Sequence, residues 1–195
     1  TYGCVSNIFW SRWFSLKVIP DAPVIFVDTF LSKTGLDEFG VHRDRYYTGF
    51  DQFLTAEEQS DIWFSPTLID ISRPSDYEQL FKRVKNSKTN FFIEEAWLTL
   101  MDYLSSIVLS LVLPFRIRTI PRFDDHNLSK LIKTEAFEEI FSYSLVRVIA
   151  KFKFIQRLEK HGVKIKRVID WNENQVVDRA LNMGFKSFYS DVEVH

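Results

Sequence analysis

The string VIDWNENQVVDRALNMGF, Val168 to Phe185, concentrates the groups most able to do chemistry. Asp170 and Glu173 carry carboxylates that could serve as general base, nucleophile or acceptor of sugar hydroxyls. Trp171 offers a flat apolar face of the kind that stacks on sugar rings. Asn172, Asn174 and Gln175 add amides that could hydrogen-bond a polar substrate, and Arg179 could neutralise a phosphate or a sugar carboxylate. Glu94 and Glu95 form a second acidic pair, next to Trp97 and after the apolar NFFI run. Asp170, Glu173, Glu94 and Glu95 are therefore the candidate catalytic residues. Trp171, Asn172, Asn174, Gln175 and Arg179 are the candidate substrate-binding ones.

Each group also has a plainer role. Asn172 with Gln175, and Asp170 with Glu173, fit the spacing of a helix capping box. Glu94 and Glu95 suit the positive first turn of a helix, and Arg179 could pair with Asp178 or Glu173. Asp28, Thr29 and Ser32 come after the VIFV run and either line the same rim or form a turn. The histidines, His42, His126, His161 and His195, stand far apart. His126 beside Asp124 and Asp125 reads as a solvated loop, and no metal site is expected. Arg43 to Tyr47 (RDRYY) mixes cations and rings as a sugar-phosphate site would, or as a surface loop with tucked rings would. The six glycines are scattered, so no glycine-rich phosphate loop exists.

These residues need elements to hold them. Val24 to Val27 reads as a buried strand. Ile62 to Ile71 reads as a second, bent at Pro66, and Asn90 to Ile93 as a third. Asp76 to Lys85 is a helix with Tyr77, Leu80, Phe81 and Val84 on one face. Ala96 to Phe115 reads as a buried helix. A membrane-surface contact is the alternative, because Arg116, Arg118 and Arg122 come next and could meet anionic headgroups. Ser129 to His161 reads as one long helix closed by Gly162. Val163 to Ile169 alternates like an edge strand. Asn172 to Met183 is a helix closed by Gly184, and Phe185 to Tyr189 starts a further strand. Helix, strand, helix and strand in close succession predict an α/β fold: a Rossmann-like, three-layer domain with a mostly parallel sheet. Asp170 would then stand where parallel sheets bind ligands, beyond the carboxyl end of a strand.

Composition sets limits. The chain has 195 residues, with 25 Lys and Arg against 26 Asp and Glu. A net charge of −1 argues against a charge-driven nucleic-acid binder. One cysteine, Cys4, leaves no internal disulfide and fits a reducing, cytoplasmic setting. Nineteen phenylalanines imply a large core or an aromatic surface that a partner or membrane covers. No secretory leader is visible.

The DWNENQVVDRALNMGF string, preceded by a long helix and a strand ending in VID, resembles a motif of bacterial surface-carbohydrate (polysaccharide) biosynthesis proteins. These are glycosyltransferases of two Rossmann-like halves, distantly similar to Kdo transferases. Glu173, Asn174 and Gln175 match the family's triplet. Asp178, Arg179, Ala180 and Leu181 match its acidic, basic and Ala-Leu positions. The likeness covers roughly the last 65 residues and the remainder only in character. It implies that residues 1–195 form one Rossmann-like half of a glycosyltransferase-B-like enzyme, inactive without a second nucleotide-binding half. The substrates would be a nucleotide-sugar donor and a glycan acceptor, with no resident cofactor. The location would be cytoplasmic, at the inner face of the membrane. The alternative is a non-catalytic carbohydrate-binding or scaffold module that docks a partner or membrane through aromatic surface.

Overall fold

The computed structural model describes residues 2–37, 40–42, 49–71, 73–116, 122–123, 126–138, 143–171 and 176–195. Helix α1 (Tyr2–Trp13) precedes strand β1 (Val24–Leu31). A short 3-10 turn at Phe50–Phe53 leads to α2 (Ala56–Asp61) and β2 (Ile62–Leu68). Next come α3 (Pro74–Lys85), the single turn α4 (Glu94–Trp97) and α5 (Leu100–Arg116). A two-residue ladder of β3 (Arg122–Phe123) and β4 (His126–Asn127) precedes α6 (Ser129–Glu138) and α7 (Tyr143–Lys160). β5 (Ile165–Ile169) and α8 (Val176–Phe188) close the chain.

The main sheet is small and all-parallel, in the order β2-β1-β5, so the fold is α/β. β1 is central and almost wholly buried, which is why VIFV reads as an unbroken apolar run. It extends four residues beyond that run, to Leu31. Phe91 and Val194 add single parallel bridges, to Phe64 of β2 and Val168 of β5 respectively. The expected third strand at Asn90–Ile93 is thus reduced to one bridge. β2 passes through Pro66 in unbroken register with β1. The Phe64 N–H points away from β1, donating to Asn90 O at 3.0 Å. Pro66, two residues on, lacks its donor on that same outer side, where the sheet needs none.

The larger core lies on the β1 face that carries Val24 and Phe26. Phe26 stacks on Phe92 at 5.9 Å and meets Phe185 edge-on at 4.9 Å. Phe81 and Phe154 are fully buried in the same cluster. A smaller cluster on the other face joins Ile25, Val27 and Ile62.

Four further expectations change. The helix read as Ser129–His161 is described as α6 and α7, on either side of residues 139–142, which lie outside the described residues. Gly162 does end α7, at φ +75°. Gly184 does not end α8. A Cβ there would come within 3.0 Å of Ile155 Cβ, so the missing side chain lets α8 close on α7. Phe185 and Phe188 therefore belong to the last turn of α8 and not to a strand; Phe185 is fully buried. Finally, Ala96–Phe115 is not a buried helix. It divides into α4 and α5, and α5 turns most of its apolar side chains to solvent.

Candidate active site

Two strands of the sheet reach an aspartate after an apolar run: VIFVD in β1 and RVID at the end of β5. Val27 pairs with Ile169, so one step further Asp28 stands beside Asp170. Neighbouring residues in parallel register share a face, at an interstrand spacing of about 4.8 Å. Asp28 therefore lies inside β1 and is buried, and the turn reading does not hold for it. Asp170 Oδ2 accepts a hydrogen bond from Asn182 Nδ2 at 2.9 Å. Oδ1 of Asp28 and Oδ1 of Asp170 are buried without a hydrogen-bond partner.

A cation faces them. Lys151 of α7 is only 4% exposed; its Nζ lies 3.6 Å from Asp28 Oδ1 and 3.8 Å from Glu94 Oε2. An ammonium can stand in so dry a place only when carboxylates compensate it. Helical spacing explains its position. Lys151 shares the inward face of α7 with the buried Phe154, Ile155 and Leu158, and Arg147 lies one turn before it.

Burial shifts these carboxyls upward. Asp28 is pushed up to about 6, by burial first and by the charges of Asp170 and Asp178, against the pull of Lys151. Asp170 is raised by burial, with Asn182 and Lys151 opposing and Asp178 adding to the rise. Glu94 is raised by burial despite Lys151 and Arg147. Glu95 rises to about 7, from burial and the neighbouring Glu94. Asp28 and Glu95 can thus exchange protons near neutrality close to a buried cation, an arrangement that general acid–base chemistry can use.

A hollow of about 210 Å³ opens here, lined by Asp28, Phe30, Thr67, Arg147, Lys151 and Asp178. It is smaller than the roughly 300–1,000 Å³ of pockets for drug-sized ligands. One small polar moiety suits it, with carboxylates for hydroxyls and two cations for an anion.

Placement of the expected residues is uneven. Asp170 and Glu94 join the cluster, and Glu95 is half-buried beside Glu94. Trp171 is half-buried at the strand exit and does not line the hollow. Arg179 is exposed, whereas its neighbours Val177, Asp178 and Leu181 line the hollow. Asn172, Glu173, Asn174 and Gln175 lie outside the described residues, as do Arg43 to Tyr47 and the Asp124–Asp125 pair. His42 is tied to Gly35 O at 3.1 Å and Thr29 Oγ1 at 3.4 Å. Among the described residues, no three His, Cys, Asp or Glu side chains are grouped to hold a metal ion.

Sequence reasoning passed over Lys151, Arg147 and the central part of Asp28. The signals were present: a lysine at helical spacing within an apolar face, and the repeat of an apolar run ending in aspartate. Comparison of the chain with protein families, curated proteins and solved structures returned no match.

Proposed function

We propose that this domain is one half of a glycosyltransferase of bacterial surface-polysaccharide assembly, transferring a sugar from a nucleotide-activated donor to a glycan acceptor. One observation supports this above all: Asp28, Asp178, Lys151 and Arg147 converge on one hollow at the carboxyl-terminal half of the parallel strands β1 and β2. In this reading an ionised carboxylate of the cluster takes the proton of the acceptor hydroxyl. That oxygen attacks the anomeric carbon, the bond from that carbon to phosphate oxygen breaks, and the nucleoside diphosphate leaves. Lys151 and Arg147 balance the charge that grows on the departing phosphate. The Rossmann-like, glycosyltransferase-B-like architecture, the cytoplasmic setting at the inner membrane face and the completing second half belong to the same proposal, as does a requirement for no resident cofactor.

Saturation-transfer NMR against nucleotide sugars and oligosaccharides tests it. Sugar protons should receive saturation from the wild type and much less from Asp178→Asn. A folded protein that saturates no saccharide in either series would overturn the reading. A non-catalytic module that docks through aromatic surface would instead leave any saturation unchanged in Asp178→Asn.

A further inference from the structure

Helix α5 is built inside out. Its polar residues face the protein: Asp102, Ser106 and Ser110 are buried. Arg157 of α7 grips Asp102 with two bonds, Nε to Oδ2 and Nη2 to Oδ1, each 3.0 Å. Lys153 of α7 donates to the Ser105 hydroxyl. Ser106 Oγ and Ser110 Oγ return their protons to α5 carbonyls at 2.7 and 2.8 Å, so the seam is satisfied and small. The opposite face is apolar and open. Met101 is 69% exposed, Val108 58% and Phe115 70%, with Leu104, Ile107 and Leu111 between them. Hydrophobic burial alone would have turned this helix over. A contiguous apolar strip of this kind marks a surface that something covers.

Cations stand near both ends of α5. Arg116 closes α5. Phe115 meets Phe137 of α6 edge-on at 5.2 Å, and Lys130 and Lys133 line the same α6 groove as Phe137, with Glu138 the one acidic member among the described residues. At the other end, a cleft of about 370 Å³ opens where α5 begins, lined by Arg12, Lys17, Trp97, Thr99, Arg157 and His161, with no carboxylate in its wall among the described residues. His161 Nδ1 lies 2.7 Å from the Arg157 carbonyl, which can only accept, so Nδ1 carries the proton. Nε2 then accepts from Lys17 Nζ at 2.7 Å. Arg157 is already matched by Asp102, which leaves Arg12 and Lys17 facing the cleft without an acid there. Burial, Arg157 and Arg12 all press the Lys17 ammonium toward losing its proton, a strain that a bound anion would relieve.

We propose that the α5 face docks on an anionic lipid surface, with headgroup phosphate taken between Arg12 and Lys17. Charge selects this occupant over a second copy of the chain. A two-fold contact through α5 would set cationic rims against each other, whereas a phospholipid surface complements both the rims and the strip. The helix lies along the surface and does not cross it. Its 17 residues span only about 25 Å, less than the roughly 30 Å hydrocarbon core, and its polar seam stays bound to α7. No helix among the described residues is long and apolar enough to span a membrane.

Vesicle co-sedimentation of the full chain tests this, with phosphatidylcholine alone and with phosphatidylcholine containing phosphatidylglycerol. The wild type should pellet with the anionic vesicles and stay in solution with the neutral ones. Leu104→Glu combined with Val108→Glu, both at exposed sites, should weaken binding about tenfold or more. Arg12→Gln with Lys17→Gln should lower binding and flatten its salt dependence. Far-UV circular dichroism establishes that each variant is folded. A wild type that ignores anionic vesicles, a Leu104→Glu/Val108→Glu variant that binds as well as wild type, or a stable dimer that the same pair dissociates would each overturn the proposal.

Discussion

Lys151 Nζ lies 3.6 Å from Asp28 Oδ1, a contact between a helix α7 ammonium and a central-strand carboxylate, both almost entirely shielded from water. It is close enough to compensate charge and too long for a strong hydrogen bond. Asp28 keeps an unpartnered oxygen, and Lys151 divides its charge with Glu94. A purely structural ion pair would gain from closer, fully bonded geometry. This one leaves donor and acceptor capacity turned toward a hollow.

The first prediction concerns pH. Asp28 sits near 6 folded against an ordinary 3.8, so the folded chain binds more protons than the unfolded one between those values. Its contribution to stability is complete below pH 3.8 and lost as pH rises past about 6. A shift of this size corresponds to on the order of 2–3 kcal/mol. Urea melts of wild type and Asp28→Asn at several pH values check it. The difference between them should move in favour of the variant from pH 4 to pH 7 and stay flat above.

Removing the cation should be costly. Lys151→Met keeps the length of the side chain and leaves Asp28, Glu94 and Asp170 uncompensated. A loss of about 3–5 kcal/mol is expected at pH 8. The loss should shrink at pH 5, where Asp28, raised to about 6, holds its proton, and Lys151→Met with Asp28→Asn should recover part of it. Denaturant midpoints for the two variants at both pH values measure this.

Gly184 sets how closely α8 meets α7. Gly184→Ala places a Cβ 3.0 Å from Ile155 Cβ and Cγ1. Overpacking of about 1–3 kcal/mol outweighs the roughly 1 kcal/mol that alanine gains as a helix former. A lower melting temperature is expected, read by thermal denaturation of the variant beside the wild type.

Much of this was legible in the residues. VIFV, the α3 face and Gly162 stem from apolar runs, helical spacing and the need for a left-handed glycine, which are local properties. What was not legible is tertiary. Gly184 looks like a stop signal until Ile155 is seen against it, and Phe185 to Tyr189 looks like a strand until the helix is seen to continue. The α5 strip looks like core, because its composition does not tell which face turns inward. The bonds from Arg157 to Asp102 and from Lys153 to Ser105 hold its polar face against α7. The candidate site divides the same way. Asp170 and Glu94 were visible as acids at strand exits, whereas Lys151 needed the partner carboxylates that justify a buried ammonium.

Calorimetric titration of a saccharide or nucleotide sugar into the wild type, and into Asp178→Asn combined with Arg147→Met, tests the account most directly. Both substitutions lie on the wall of the hollow, and neither side chain belongs to the buried core. The account predicts saturable binding by the wild type, weakened at least about tenfold in the double variant, as loss of one charge-assisted contact or more would give. Equal dissociation constants for the two proteins would contradict it.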